Sequence, residues 1–347
     1  MGYRITNRDT GHWFIAEPGE SVLTAALRNG YTFPYSCRNG ACASCKGLVL
    51  EGAVSYPEGP PPALGPEDAA AGQALFCQAV PETDLCVSVR EVEAVRDIPV
   101  RRLPARVSSR EKLAPDVIRL DLKLPAGKRM QFLAGQYVDI LLGEGRRRAF
   151  SIANPPQDDA HLELHVRHVE GGDFTEYVFH DLQERALLRL EGPLGTFFIR
   201  EASERPMIMM GGGTGFAPLK AMVEYLAHVG ETRPIDFYWG AADEQGLYMR
   251  ELPEAWARDR AELSFTPVLS EPSSDWSGRR GLVHEAVLED HANLAEYDVY
   301  MSGPPAMINV ARRDFLKRGL PVEQLYYDSF DFSPDTRLKI LKKKREE

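Results

Sequence analysis

Four cysteines have a spacing that can hold an iron–sulfur cluster. Cys37, Cys42 and Cys45 follow the pattern C-x4-C-x2-C, and Cys77 lies further along the chain. This is the plant-type ferredoxin spacing, in which one tight loop and one distant thiolate bind a [2Fe–2S] cluster. Structural zinc sites usually pair two C-x2-C steps, and only one such step occurs here. The pattern therefore predicts a [2Fe–2S] cluster and leaves Cys86 outside it.

A short motif in the middle of the chain has the chemistry of a flavin site. Residues 148–151 read Arg148-Ala149-Phe150-Ser151, which offers a cation, an aromatic ring and a hydroxyl. A flavin needs an aromatic contact for its ring, a hydroxyl near its reactive nitrogen and donors for its pyrophosphate. An ordinary strand with a surface arginine would show the same four residues. Glycine-containing segments at residues 172–175 and 192–195 follow in the same region, and this order favours FAD.

A glycine-rich segment further on has the features of a nicotinamide dinucleotide site. It reads G-x-G-x-x-P from Gly213 through Gly215 to Pro218, between a predicted strand and a predicted helix. Backbone N–H groups at the start of a helix bind a pyrophosphate well. Glycines also allow a ring system to approach the backbone closely. We therefore expect a dinucleotide to bind at this loop.

Two other strand ends indicate which dinucleotide binds and where it lies. The segment 238–244 ends with Asp243 and Glu244 and contains no arginine. Carboxylates accept hydrogen bonds from a ribose 2′-hydroxyl and repel a 2′-phosphate, so the sequence favours NADH over NADPH. Ser302, Gly303 and Pro304 follow the last predicted strand of the parallel sheet. Open α/β proteins bind ligands at this carboxyl edge.

Three regions with different hydrophobic patterns must position these groups. We predict a ferredoxin domain over residues 1–95 and a proline-containing linker over 96–104. Alternating apolar residues and glycine turns predict an antiparallel β-barrel for flavin over residues 100–202. Short apolar strands and amphipathic helices then alternate, which predicts a doubly wound parallel α/β domain for the nicotinamide over residues 203–330. A basic tail over 331–347 completes this multidomain chain.

Charge and composition narrow the choice of partner. The 347-residue chain has a net charge of −10, and residues 1–93 hold 11 acidic and 6 basic side chains, a net −5. This balance disfavours nucleic acid and favours a positively charged protein that docks on the ferredoxin domain, although an acidic surface also serves solubility alone. No apolar run is long enough to span a membrane. Five cysteines without a disulfide pattern and the lack of a signal peptide predict a cytoplasmic protein, and we expect a monomer.

The motifs together resemble a known family. Over residues 3–330 the chain carries, in order, LAGQYVDI, RRRAFSIAN, LELHVRHV, EGPLGTFF, GGGTGFAPLKAMVE and FYWGA. With these segments it resembles the ferredoxin–NAD(P)H reductase superfamily, and more narrowly the oxygenase-type reductases with an N-terminal ferredoxin domain. It is also similar to the CDP-6-deoxy-glucoseen reductases. The resemblance implies a β-grasp fold for the ferredoxin domain.

The same resemblance implies roles for individual residues. Catalytic roles fall on Ser151 near flavin N5, Ser302 near the nicotinamide and Phe330 as the aromatic residue that covers the flavin. Many relatives have cysteine where this chain has Ser302, and here the chain continues beyond Phe330. The implied cofactor-binding residues are Arg148, Ala149, Phe150, Ser151, His165, Val166, Arg167, Gly172, Phe174, Thr175, Gly213, Thr214, Gly215, Asp243, Gly303 and Pro304.

These expectations define an electron-transfer enzyme. NADH would deliver a hydride to FAD, and single electrons would then pass to the [2Fe–2S] cluster and on to a partner oxygenase component. A dehydrase that acts on a deoxysugar is an alternative acceptor. A redox-sensing binding module without turnover is an alternative of another class. A sensor needs no nicotinamide site, so the glycine loop and the acidic strand end favour the enzyme.

Overall fold

The computed structural model of the chain describes residues 2–333 and 335–340. It divides into two compact units, residues 1–99 and residues 100–347. Residue 334 and residues 341–347 of the expected basic tail lie outside the described part. Among the described helices, none combines the length and the apolar character that crossing a membrane requires.

The first unit is built on a five-stranded sheet. Its order is β2-β1-β7-β3-β5, with β1 and β7 parallel and the other pairs antiparallel. A small second sheet pairs β4 with β6. The elements are β1 (Tyr3–Asn7), β2 (Trp13–Ala16), α1 (Val22–Arg28), β3 (Lys46–Glu51), β4 (Val54–Ser55), α2 (Pro66–Ala70), β5 (Gln73–Leu75), β6 (Val80–Pro81) and β7 (Leu85–Ser88).

The sequence predicts a helix that opens at Ser21 and stops at Gly30, and α1 lies between these two residues. The hydroxyl of Ser21 accepts a hydrogen bond of 3.2 Å from the backbone N–H of Thr24, which caps the helix start. Leu23 and Ala26 are buried on the face that packs against the sheet. Gly30 follows the helix with a φ of 81°, a conformation that suits glycine. The chain then enters the loop that carries three of the four predicted cluster cysteines.

The first half of the second unit is a six-stranded antiparallel sheet. Its order is β11-β10-β13-β8-β9-β12. One isolated bridge, between Ile152 and Leu164, joins the segment after edge strand β11 to edge strand β12. The elements are β8 (Arg101–Ala114), β9 (Val117–Lys123), β10 (Tyr137–Leu141), β11 (Arg147–Ser151), β12 (His161–Arg167), α3 (Asp173–Glu176), a π-helical turn (Tyr177–Asp181) and β13 (Leu187–Leu194).

The prediction of a linker over residues 96–104 is wrong for residues 101–104, which belong to strand β8. Strand β8 begins at Arg101, and Pro104 pairs with Arg189 of β13. A proline cannot donate to a β-ladder, which is why the two prolines suggested a linker. Strand β8 pairs with β9 only from Arg106 onward. On that side, Pro104 therefore interrupts no ladder.

The second half of the second unit is a parallel sheet with helices between its strands. Its order is β17-β16-β15-β14-β18-β19. Alternate residues of β14 enter two different core clusters, Met209 beside α4 and α5 and Met210 beside α6 and α7, so both faces are covered. The elements are β14 (Met207–Gly212), α4 (Phe216–His228), β15 (Ile235–Ala241), α5 (Glu251–Asp259), β16 (Leu263–Leu269), β17 (Arg279–Arg280), α6 (Val283–Asp290), β18 (Asp298–Gly303), α7 (Pro305–Lys317) and β19 (Leu325–Ser329).

Candidate functional site

The four predicted cluster cysteines converge in the first unit. Cys42, Cys45 and Cys77 are buried, and Cys37 is partly buried. The thiol of Cys37 is hydrogen-bonded to Cys42, and that of Cys45 to Cys77. The bond to Cys42 and burial raise the pKa of Cys37, whereas the bond from Cys37 lowers the pKa of Cys42 to about 7. These four thiols are hydrogen-bonded in pairs and none of them is in a disulfide, so they fit the ligand set of a [2Fe–2S] cluster.

The backbone between these cysteines is curled tightly. Arg38, Gly40 and Ala43 all have positive φ angles, of 56°, 76° and 60°. A Cβ atom on Gly40 would lie 2.7 Å from the Cβ of Pro61, so only glycine fits there. The curl turns the loop around the cysteine sulfurs, as cluster binding requires. Cys86 lies apart from this loop, in the middle of strand β7.

The predicted flavin motif lies on edge strand β11. Arg148 is largely buried, with a side chain 12% exposed, and its Nη2 donates to Oδ2 of Asp335 at 2.6 Å. The ring of Phe150 lies 5.3 Å from that of Phe174. Ala149, between Arg148 and Phe150 in the motif, is exposed. A guanidinium that already binds a carboxylate has the donor chemistry that a phosphate needs. The motif therefore fits a flavin dinucleotide.

Residues 172–175, which the resemblance assigns to cofactor binding, form a tight turn at the start of α3. Gly172 precedes the helix, and Phe174 is buried. The hydroxyl of Thr175 lies 3.0 Å from the carbonyl oxygen of Val169 and 3.1 Å from its N–H, so it holds the turn closed. Next to Gly172, the carboxylate of Asp173 is paired with Arg146. The turn leaves backbone N–H groups at its helix start, which suit a phosphate.

The three predicted residues of β12 differ in exposure. The side chain of Val166 is buried in the core of the antiparallel sheet, so it offers a cofactor only its backbone. The side chain of Arg167 is 42% exposed, and its Nε donates to Asp116 at 2.7 Å. His165 is buried, and its Nδ1 lies 2.9 Å from the hydroxyl of Tyr248. Tyr248 belongs to the parallel half of the second unit, so this contact joins His165 to that half.

His165 belongs to a buried polar network that joins the two halves of the second unit. Its Nε2 lies 2.8 Å from Oε1 of Glu163 on the same strand. Nζ of Lys220, from α4, lies 3.3 Å from the same carboxylate oxygen and donates to the carbonyl of Ala153 at 3.2 Å. Burial alone would raise the pKa of Glu163, but the bond from His165 and the charge of Lys220 lower it to about 2. The network holds the antiparallel sheet of the second unit against α4.

We expect Glu163→Gln to lower the free energy of unfolding by about 3 kcal/mol at pH 7. A folded pKa of about 2 against an ordinary 4.5 corresponds to that stabilisation by the ionised group. Because the folded pKa is depressed, the stabilisation is complete above pH 4.5 and is lost as pH falls towards 2. Urea unfolding should show the difference from wild type falling below about half by pH 3. Exposed Glu184→Gln is the control, and an unchanged difference at pH 3 would contradict the assignment.

The predicted glycine loop packs directly on the end of β18. A Cβ atom on Gly215 would lie 2.0 Å from the carbonyl oxygen of Ser302, and one on Gly213 would lie 2.4 Å from Nη1 of Arg167. The indole of Trp239 donates to the carbonyl of Gly213 at 2.9 Å. Thr214 between them is buried. The backbone of β18 therefore leaves no room for a side chain at Gly215, and the loop brings the ends of strands β14, β15 and β18 together.

The three predicted catalytic residues converge on the end of β19. Ser302 pairs in register with Asp328, and the hydroxyl of Ser151 donates to Oδ2 of Asp328 at 3.3 Å. The backbone N–H of Phe330 donates to the carbonyl of Gly303 at 2.9 Å. The Ser302 hydroxyl is fully buried and has no hydrogen-bond partner among the described residues. A buried hydroxyl without a partner fits a site that a ligand amide completes.

The remaining predicted residues, Asp243 and Pro304, are exposed and lie just after strands β15 and β18. Asp243 is exposed, and its Oδ1 accepts from the N–H of Gly246 at 3.0 Å. Pro304 is the residue before helix α7. Sequence analysis missed Asp328, whose signal was its place two residues before Phe330 at a strand end. It also missed Asp335, which lies in a segment that no motif covers.

Comparisons with known proteins agree with this geometry. The family model described as a 2Fe-2S iron-sulfur cluster binding domain matches residues 5–82. The model of an oxidoreductase FAD-binding domain matches residues 104–199, and that of an oxidoreductase NAD-binding domain matches residues 209–313. The predictions of [2Fe–2S], FAD and nicotinamide cofactors are thereby confirmed.

Relatives and solved structures match over almost the whole chain. The CDP-6-deoxy-L-threo-D-glycero-4-hexulose-3-dehydrase reductase of Yersinia pestis is 37% identical over 330 residues, covering 95% of this chain and 99% of that protein. A reductase component of terephthalate 1,2-dioxygenase from Comamonas is 33% identical, covering 96% and 99%. The crystal structure of an Amycolatopsis cytochrome P450 reductase is 33% identical with a TM-score of 0.77, covering 94% and 98%. The chain therefore belongs to the iron–sulfur flavoprotein reductases, which pass electrons from NADH through FAD and a [2Fe–2S] cluster to a partner protein.

Proposed function

We propose that this chain is the reductase component of an oxygenase system. The observation that carries the proposal is its end-to-end similarity to reductases of a dioxygenase and of a cytochrome P450. The oxygenases named with these relatives differ, whereas the three-part reductase is common to them. The shared task is therefore to supply single electrons to a separate protein.

In this proposal, the antiparallel first half of the second unit, here called the flavin half, holds FAD with residues from two places. Arg148 and the N–H groups between Gly172 and Thr175 bind its pyrophosphate, and Phe150 lies against the isoalloxazine. When bound, FAD accepts a hydride and releases its electrons one at a time. Arg167 borders the cofactor path from β12. His165 and Val166 contribute there by positioning the strand, because their side chains are buried.

The same proposal gives the converging residues separate tasks. Ser151 presents its hydroxyl to flavin N5, and Asp328 holds that hydroxyl in place. Ser302 offers its buried hydroxyl to the nicotinamide carboxamide. Phe330 covers the flavin ring until the nicotinamide displaces it. Exposed Asp243 accepts from the adenosine ribose and so disfavours a 2′-phosphate.

We also propose the finer architecture and the setting of the chain. The ferredoxin domain has a β-grasp fold over residues 1–95. The antiparallel sheet forms a β-barrel over residues 100–202, and the nicotinamide domain is a doubly wound sheet over residues 203–330. The acceptor docks on the ferredoxin domain, which the net charge of −5 over residues 1–93 supports. Five free cysteines support a cytoplasmic location. The chain works as a monomer.

Acceptor assays with purified proteins test this function. NADH oxidation should be coupled to reduction of an oxygenase component, and the rate should fall as salt screens the acidic docking surface. A deoxysugar dehydrase is the second candidate acceptor, favoured by the 37% identity to the Yersinia reductase. Faster reduction of the dehydrase than of every oxygenase component tested would replace the first proposal with the second. Full cofactor loading without any turnover would support the sensor instead.

A further inference from the structure

The chain continues past its expected terminal aromatic residue and folds back on the flavin half. The described residues after Phe330 are here called the C-terminal strap, which comprises residues 331–333 and 335–340. Ser329 donates to Asp331 at 2.9 Å, and Arg337 lies 3.6 Å from the same carboxyl group. Thr336 within the strap is buried, with 4% of its surface exposed. These contacts order the strap and give it a packed inner face.

Two ion pairs join the strap to strand β11 and helix α3. Oδ2 of Asp335 accepts a hydrogen bond of 2.6 Å from Nη2 of Arg148, and Lys339 pairs with Asp173. Nη1 of Arg148 donates to the carbonyl of Arg147 at 3.0 Å. Both terminal nitrogens of the guanidinium are therefore engaged. Burial alone would raise the pKa of Asp335, but bonds from Ser333 and Arg148 lower it to about 2, so its carboxylate is anionic at neutral pH.

Both anchors coincide with the proposed FAD pyrophosphate site. Arg148 is its cation, and Asp173 is the first residue of α3, directly after Gly172. A carboxylate and a phosphate are alternative anionic partners for one guanidinium fork. The strap therefore holds an intramolecular anion where an external anion must bind.

We propose that Asp335 of the C-terminal strap competes with the FAD pyrophosphate for Arg148 and so sets the affinity for FAD. This inference rests on the proposed role of Arg148. FAD binds only the fraction of molecules in which Arg148 has released Asp335, so the strap weakens apparent affinity in proportion to its occupancy. The Lys339–Asp173 pair keeps the strap attached at its other end while Asp335 exchanges.

FAD titration into the full-length apoprotein tests the competition. Asp335→Asn should lower the FAD dissociation constant by about 3-fold to 10-fold, because it removes one partly exposed ion pair. The control is Glu323→Gln, which removes one exposed acidic charge from the same unit and should leave the constant unchanged. An unchanged or higher constant for Asp335→Asn would overturn the proposal.

A double-mutant cycle separates this proposal from the one on which it rests. Arg148→Ala should raise the FAD dissociation constant by about 10-fold or more, and Asp335→Asn should then have no further effect. If Arg148→Ala leaves the constant unchanged, the proposed FAD site is wrong and the strap proposal falls with it. If Arg148→Ala weakens binding but Asp335→Asn gives no gain, only the strap proposal is wrong.

Hydrogen exchange provides a second measurement that does not depend on affinity. Binding of FAD should speed exchange of backbone amides at residues 335–340, because their anchor on Arg148 is lost. Glu323→Gln should show the same change as wild type. Slower exchange on FAD binding would overturn the proposal, since it would mean that the cofactor holds the strap down.

Discussion

A Cys42→Ser variant is expected to lose cluster-dependent reduction of a protein acceptor by at least about 100-fold, while NADH still reduces its flavin. Cys42 is buried among the cluster sulfurs, and a serine hydroxyl is a poor substitute for a thiolate ligand. The proposed flavin and nicotinamide residues all belong to the second compact unit, so we expect flavin reduction without the cluster. Anaerobic stopped-flow absorbance measures flavin reduction, and electron paramagnetic resonance measures the cluster.

The matched control for this variant is Cys86→Ser. Cys86 lies in strand β7 and is not one of the four converging cysteines. Its replacement should leave both the cluster signal and acceptor reduction intact. Equal loss of flavin reduction and acceptor reduction in a folded Cys42→Ser variant would show that the assumed order of electron transfer is wrong.

Gly215→Ala is expected to slow flavin reduction by NADH by about 100-fold or more, because misplacement of reacting groups by about 1 Å has effects of this size. The new Cβ would lie 2.0 Å from the carbonyl oxygen of Ser302 and 2.9 Å from the Cα of Gly303. Both are backbone atoms of β18, so the glycine loop itself must move. FAD content and reduction by dithionite should be retained, because the proposed FAD anchors, Arg148 and residues 172–175, lie outside this loop and dithionite needs no nicotinamide site.

Two variants accompany this measurement. Gly143→Ala is the control, because a Cβ there meets no atom within 4 Å. Gly213→Ala replaces a glycine of the same loop whose clash is with the flexible end of Arg167, so it tests the loop if Gly215→Ala does not fold. If all folded variants kept the wild-type rate with NADH, the nicotinamide would bind elsewhere.

Much of this protein could be predicted from local patterns. The four cysteines are defined by spacing alone, and the structure brings their sulfurs together. The hydrophobic pattern predicts an amphipathic helix over residues 216–228, because a buried helical stripe is visible within one segment, and α4 spans Phe216–His228. The pattern also predicts a helix over residues 306–318, and α7 runs over Pro305–Lys317, one residue earlier at each end.

The contacts that complete the site have no local signal. Ser151 and Asp328 are 177 residues apart in sequence, and Arg148 and Asp335 are 187 apart. A pair of polar residues at such separation is brought together only by the packing of the whole second unit. The start of β8 was also missed because it depends on tertiary pairing. Pro104 fits in a strand because β8 pairs with β9 only from Arg106 onward.

The buried hydroxyl of Ser302 has a consequence for ligand selectivity. An unsatisfied buried hydroxyl costs about 1–3 kcal/mol, and a bound ligand that supplies the missing partner removes this penalty. A dinucleotide with the carboxamide replaced by hydrogen would leave the penalty in place. Sites built to hydrogen-bond a ligand group reject analogues that lack it far more strongly than apolar pockets reject a missing methylene. In the proposed site, Ser302 would therefore discriminate between dinucleotides through a hydrogen bond that exists only in the complex.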